Sequence, residues 1–246
     1  MSEEKNTAGK IKAALYLIPV TLGDTPLDKV LPSYNTEIIR GIKDYIVEST
    51  KAARRFLAQN DKNLPIEDFN FTELNEHTDL KTISHYLDPL IKHKRPMGVI
   101  SDAGCPAVAD PGAAVVEMAQ KKNIDVIPLV GPSSMIMAVM ASGFNGQSFA
   151  FNGYLPVKPA ERAQKIRQLE VRAAKEKQTQ LFIEAPYRNI KMFETILQSC
   201  RPDTRLCIAC GITTPSEYIH TKTIAEWKKE GAPDINKIPA IFLIYR

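Results

Sequence analysis

Apolar positions along this chain come in short dense runs, separated by loops rich in glycine, proline, serine and aspartate. The runs at 13–18, 45–47, 96–100, 125–129, 179–183, 206–209 and 240–245 contain little polar alternation, which predicts strands covered on both faces. Residues 69–74 and 219–221 read as edge strands, and 149–151 as a strand that restarts the pattern. Between them, apolar positions at helical spacing predict helices over 36–43, 78–91, 113–122, 134–140, 189–198 and 223–229. Ser49 or Thr50 is placed to cap a helix running through Leu57, and Pro159 to open a long one reaching Lys177.

Strand, loop, helix, strand is the rhythm of a parallel sheet. The expected fold is therefore α/β, in two α/β domains with a ligand cleft between them. The first covers 11–145 with a mostly parallel sheet and the second 148–246 with a mixed one, the break falling in the Gly- and Asn-rich stretch 143–148. Ligands of such sheets sit at the carboxyl ends of strands, beyond a change in strand order. Four loops occupy those positions, 19–25, 101–112, 130–134 and 184–188. None is a G-x4-G-K-[ST] phosphate loop, a G-x-G-x-x-G fingerprint or a G-x-S-x-G nucleophile elbow.

Composition narrows the class. With 246 residues and 44% hydrophobic content the chain can bury a sizeable core without disulfide or metal staples, and 17 prolines exclude a long coiled coil. No apolar run approaches the roughly 20 residues that span a bilayer, and the first ten residues hold no leader-like stretch, so no membrane partner and a cytoplasmic location are expected. Cys207 and Cys210 have C-x2-C spacing, but no second pair exists and the histidines are scattered, so they read as core residues and no metal is expected. The net charge of +4 is concentrated between 158 and 177, where seven basic residues face three acidic ones. No aromatic residue is interleaved with a basic patch, so single-strand stacking has no support in the linear sequence.

Ser101 to Gly112 reads SDAGCPAVADPG, and this resembles the SDAGxPxxxDPG signature of the tetrapyrrole methylase superfamily. LYLIPVTLGD (15–24), IVESTKAARRFL (46–57), NEHT (75–78), VIPLVGPSSMIMAVMASG (126–143), FAFNGYLPVK (149–158) and FIEAPYR (182–188) extend the resemblance in order across nearly the whole chain. The subgroup it resembles is the bacterial 16S ribosomal RNA 2′-O-ribose cytidine methyltransferases. The resemblance implies a homodimeric enzyme that binds S-adenosylmethionine between two α/β domains and modifies ribosomal RNA. It further implies cofactor contacts at Asp102, Ala103, Gly104, Ser133, Ser134, Pro186, Ala209 and Gly211. Lys51, Arg54, Arg55, Lys158 and Arg162 would meet phosphates and His77 the substrate. Glu184 and Glu48, which both follow strands, are the candidate bases.

Three departures bear on the acceptor. Asp24 stands for an asparagine, Ser49 and Lys51 alter an A-E-D-T-R segment, and Cys210-Gly211-Ile212-Thr213-Thr214 replaces R-E-[LI]-T-K. The chain also ends directly after its last strand, without the small extension such enzymes often carry. Two further readings stay open beside the ribosomal one: a tetrapyrrole-like small-molecule methyltransferase, and a non-catalytic S-adenosylmethionine-binding protein.

Overall fold

The computed structural model describes residues 11–246, so the expectation about the first ten residues lies outside it. Internal contacts divide the described chain into two units, one of residues 11–21 and 25–132, the other of 22–24 and 133–246.

In the first unit, β1 (Leu15–Ile18), β2 (Asp44–Val47), β3 (Asn70–Glu73), β4 (Met97–Ile100) and β5 (Val126–Pro128) form one sheet in the order β3-β2-β4-β1-β5. Every pairing is parallel. Successive side chains of a strand point to opposite faces, and here both faces are apolar and covered. Tyr16, Ile18, Tyr45 and Val47 pack against α1 (Ser33–Arg40) and α2 (Thr50–Asn60). Leu15, Ile46, Met97 and Val99 pack against α3 (Asp88–His93) and α4 (Gly112–Lys121). The helix expected over 78–91 is instead split. A 3-10 helix, Leu80–His85, is capped by the Asp79 side chain, and α3 restarts with Pro89 in its first turn. Proline has no N–H to continue a helix from behind, so position 89 can open a helix but not sit within one.

The second unit contains α5 (Ser134–Ser142), β6 (Phe149–Tyr154), α6 (Pro159–Glu176), β7 (Thr179–Ile183), α7 (Asn189–Ser199), β8 (Arg205–Cys210), β9 (Tyr218–Thr223), α8 (Ile224–Glu230) and β10 (Ala240–Tyr245). Its sheet runs β6-β7-β10-β8-β9, parallel between β6 and β7 and antiparallel elsewhere, the mixed sheet expected. One face packs on α6, α7 and Trp227 of α8. The other packs on α5, through Ala138 and Val139 against Leu181, Cys207, Ala209, Ile241 and Leu243. The division between units therefore lies at Pro132–Ser133 and not at 143–148. Helix α5 is apolar nearly all round and gains burial by lying on the second sheet, where Thr221 Oγ1 also donates to the Ser142 carbonyl at 2.7 Å.

Strand β6 outruns its expected end. A register shift between Phe151 and Tyr154, with Gly153 at φ 63°, carries the strand to Tyr154 where a turn is expected. Cys207 and Cys210 both lie in β8 and are fully buried, on opposite faces of the sheet. Among the described residues, no helix is long and apolar enough to cross a membrane.

Candidate functional site

The first sheet has its change of direction between β4 and β1. From β1 the chain crosses to β2 beyond β4, and from β4 it crosses to β5 on the other side of β1. The loops leaving β1 and β4 thus flank the position where α/β sheets bind ligands. They are stitched together. Val20 N–H donates to the Gly104 carbonyl at 2.9 Å, and Gly104 N–H to the Thr21 carbonyl at 3.4 Å. Gly104 does this at φ 69°, a region open to glycine at little cost. The loop after β5 closes on the same pair. A Cβ at Gly131 would stand 2.3 Å from the Pro19 ring, and Cys105 Sγ lies 3.4 Å from the Pro132 carbonyl. Three of the four loops singled out in the sequence therefore form one wall.

Asp110 explains the D-P-G end of the signature. Its carboxylate accepts from Ala107 N–H at 2.8 Å and Gly112 N–H at 2.6 Å, bending the chain into α4. Ala107 and Ala109 take φ of 66° and 60° within this turn, a conformation alanine adopts only when its surroundings impose it. Glu48, at the end of β2, accepts from Asp102 N–H at 2.6 Å through Oε2. Burial pushes the Glu48 carboxyl above its usual range, partly offset by that hydrogen bond, and the Asp110 and Asp102 charges push it further up. Burial likewise raises Asp110. The gathering of Glu48, Asp102 and Asp110 was not visible from a spacing of eight between the two aspartates. The tertiary pairing of β2 with β4 creates it.

Glu184 is differently placed. Its side chain has no exposure, and Oε1 accepts from Ala185 N–H, Arg188 Nε and Arg188 Nη2 at 2.7, 2.9 and 2.6 Å. A carboxylate so enclosed and charge-paired has no access to a substrate hydroxyl, so the expectation of a base at Glu184 is corrected: it anchors the turn 184–188. Pro186, half-buried, accepts from Lys237 N–H at 3.1 Å, and Asn189 Nδ2 fixes the same turn to the Ile235 and Ile238 carbonyls.

The remaining expected cofactor residues divide in two. Asp102 and Ala103 are exposed, and Ser133 and Ser134 half-buried, Ser133 accepting from Ile136 N–H at the start of α5. Gly104, Ala209 and Gly211 offer a ligand little. Gly104 is buried in the loop stitching. Ala209 is paired on both sides in the sheet, with Ile241 and Ile219. Gly211 is buried, its N–H donating to Pro239 and its carbonyl accepting from Thr214 N–H and Oγ1. Ala209, in β8, and Gly211, in the turn just after it, thus have their backbone groups engaged within the protein.

Among the expected phosphate contacts, Lys51, Arg55 and Lys158 are exposed. Arg54 pairs with Glu67 and lies over the Phe71 ring, and Lys158 pairs with Glu161 at 3.1 Å. Arg162 is 5% exposed and donates from Nε to Thr195 Oγ1 at 3.2 Å. It belongs to the α6–α7 contact and not to the surface, against expectation. A periodicity signal was available, since 162, 166, 169 and 173 share one helical face. The His77 side chain is exposed, 3.6 Å from Glu76.

No family model matches this chain. It is 28% identical to ribosomal RNA small subunit methyltransferase I of Buchnera aphidicola over 239 residues, 94% of this chain and 77% of that protein. The same enzyme of Vibrio cholerae is 28% identical over 223 residues, 91% of this chain and 73% of the relative. That of Thermotoga maritima reaches 36%, over 50% of this chain and 53% of the relative. In fold, the chain is similar to the methyltransferase CobJ, with a TM-score of 0.62, 16% identity and coverage of 95% and 94% of the two chains. Cobalt precorrin-4 methyltransferase is similar at a TM-score of 0.59, 16% identity and 95% coverage of each chain. The chain has the tetrapyrrole-methylase fold. It is related by sequence to the bacterial small-subunit ribosomal RNA methyltransferases, as its loop motifs led one to expect.

Proposed function

We propose that this chain is an S-adenosylmethionine-dependent methyltransferase that methylates a ribose 2′-hydroxyl of small-subunit ribosomal RNA, acting as a cytoplasmic homodimer. The observation that carries the reading is where the family-like segments fall. SDAGCPAVADPG, LYLIPVTLGD and VIPLVGPSS supply the stitched loops at the carboxyl ends of β4, β1 and β5.

The donor set suits the cofactor. S-adenosylmethionine carries an ammonium, a carboxylate and a ribose diol, and the exposed Asp102 carboxylate can accept from the ammonium or the diol. Ala103, exposed beside it in the same loop, supplies wall surface. When bound, the cofactor supplies a methyl group already activated by its sulfonium. The chain's own residues must then hold the acceptor in line and take its proton. Glu48 is suited to the second task. Oε2 is held by Asp102 N–H, and the raised carboxyl brings the group toward the basicity a general base needs. Lys51, Arg55 and Lys158 are the exposed cations for RNA phosphates.

A second reading keeps the cofactor and gives it a tetrapyrrole-like acceptor. The turn from Gly211 to Glu217 favours it, because it is bonded to itself and lacks the basic residues of the ribosomal pattern. Identity of 28% to the ribosomal RNA enzyme of Buchnera aphidicola against 16% to cobalt precorrin-4 methyltransferase favours the first. The test is methyl-labelled cofactor with small ribosomal subunits lacking their modifications. Label in an alkali-resistant dinucleotide is expected, because a 2′-O-methyl group blocks cleavage at that ribose. Label absent from RNA, with saturable cofactor binding by calorimetry, would overturn the RNA acceptor while leaving the cofactor in place.

A further inference from the structure

The ends of β6 and β7 assemble a group of side chains that the linear sequence keeps 33 positions apart. Tyr154 closes β6 and its Cα pairs with Ile183 at the end of β7, so the turn 184–188 rises beside it. Both Tyr154 and Tyr187 are strongly exposed, at 65% and 67%. Each ring leaves a flat apolar face in water, with a hydroxyl at its edge, that a planar partner can cover. Arg188 lies over the Tyr187 ring, its Cζ 5.2 Å from the centroid. Its guanidinium cannot swing away, because Nε and Nη2 are both held by the fully buried Glu184. The turn itself is rigid, tied by Asn189 and Pro186 to the 235–238 segment, from which exposed Lys237 projects at φ 61°.

We propose that Tyr187, backed by the anchored Arg188, and Tyr154 on the neighbouring strand end form a stacking site for an unpaired nucleobase of the RNA acceptor. This deepens the ribosomal RNA reading and rests on it. Bases of single strands are recognised by stacking on aromatic rings and on arginine planes, and every base has a face to offer. A duplex keeps its bases inside the stack and gives the same rings nothing to hold. Tyrosine suits the task because its ring is rigid and its hydroxyl tolerates water. Lys158, four residues after Tyr154, and Lys237 provide cations in the loops that flank the rings.

The test uses the whole chain and a fluorescein-labelled, unstructured RNA of about 12 nucleotides, read by anisotropy over a range of salt. Tyr154→Ala and Tyr187→Ala are each expected to weaken binding by roughly fivefold to a hundredfold. The slope of log affinity against log salt stays unchanged, because no phosphate contact is lost. Tyr154→Phe and Tyr187→Phe bind as the parent does, and a duplex of the same sequence is indifferent to all four changes. Tyr187→Trp adds an exposed reporter to a chain whose other tryptophan, Trp227, is buried, and single-stranded RNA is expected to quench it. Alanine variants that bind the single strand as tightly as the parent overturn the proposal, as does a parent with no preference for single strands. Tighter binding of a soluble anionic porphyrin, lost in the same variants, overturns the assignment to RNA. The two readings fail separately. Methylated RNA with undiminished binding by the alanine variants removes the stacking site alone, and weakened binding with no methylated RNA removes the enzymatic reading alone.

Discussion

The two α/β units finish the carboxyl ends of their strands in opposite ways. In the first, carboxylates from one segment accept backbone N–H groups of another: Glu48 holds Asp102, and Asp110 holds Ala107 and Gly112. The side chains of Asp102 and its neighbours are left exposed. In the second unit, the carboxylate at the strand end is sealed inside and holds an arginine, and the turn after β8 is bonded to itself. Thr214 Oγ1 reaches the Gly211 carbonyl at 2.6 Å, and Thr213 N–H reaches Glu217 Oε2 at 2.7 Å. The comparison teaches where divergence has gone. The first unit's family-like loops keep a polar rim, the family-like turn after β7 seals its carboxylate against Arg188, and the segment after β8 that loses the pattern has a turn built for the residues it now contains.

If the first unit provides the chemistry, the largest effect belongs to Glu48. Glu48→Gln is expected to lower single-turnover methylation by roughly a hundredfold to ten-thousandfold, with cofactor affinity little changed by calorimetry. The pH profile carries the sign. Because the folded carboxyl is raised, the parent gains activity as pH climbs past the ordinary glutamate range, and the variant lacks that limb. Stability runs the other way. The raised group binds its proton more tightly folded than unfolded, so its contribution to stability falls as pH rises through the same window. Urea melts should therefore show the parent losing ground to Glu48→Gln across that window. A variant that keeps full single-turnover rate removes Glu48 from the chemistry.

In the second unit the large effect should be on stability. Glu184→Ala strips the buried carboxylate from Arg188 and is expected to cost about 3 kcal/mol, the low end for breaking a buried pair because Arg188 is 23% exposed. Denaturant midpoints measure it. Gly211→Glu restores the acid of the ribosomal pattern and tests the rebuilt turn. Gly211 sits at φ 57°, and a Cβ there would stand 2.7 Å from the Ser216 carbonyl oxygen. A loss of about 2 kcal/mol is expected, with no gain in RNA methylation. A stable, more active variant would mean that the charge alone had been lost and not the backbone that carried it.

Much of this contrast was legible beforehand, and what was missed has physical reasons. The dense apolar runs located seven of the ten strands among the described residues, six of them interior strands, where cover on both faces tolerates few polar residues. Pro89 announced the break in the helix over 78–91, although apolar spacing alone ran through it. The end of α5 looked like a domain boundary because Gly143 and Asn145 punctuate the chain there, yet which sheet an apolar helix covers is decided by tertiary packing. The partners of Glu48 and the placing of Tyr154 beside the turn 184–188 depend on strand order, and local pattern contains no record of it. The pairing of Ala209 on both sides followed from β8 being an interior strand, and that of Gly211 from the turn after it, neither of which sequence pattern reveals in a mixed sheet.

The smallest expected effects separate surface charge from buried charge on α6. Lys158 is exposed and paired only with a neighbouring surface acid, so its charge is available to a phosphate. Lys158→Gln is expected to weaken RNA binding modestly and to reduce the magnitude of the salt slope by about one. Arg162 carries the same formal charge four residues later but lies under the helix, against Thr195. Arg162→Met should leave the salt slope unchanged and shift stability by less than about 1 kcal/mol, since a hydrophobe of similar length can replace a buried guanidinium whose bond is to a neutral hydroxyl. A slope that responds to Arg162 and not to Lys158 would mean the guanidinium reaches RNA when the strand is bound. The α6–α7 contact would then have to open, and the basic helix would act from its inner face.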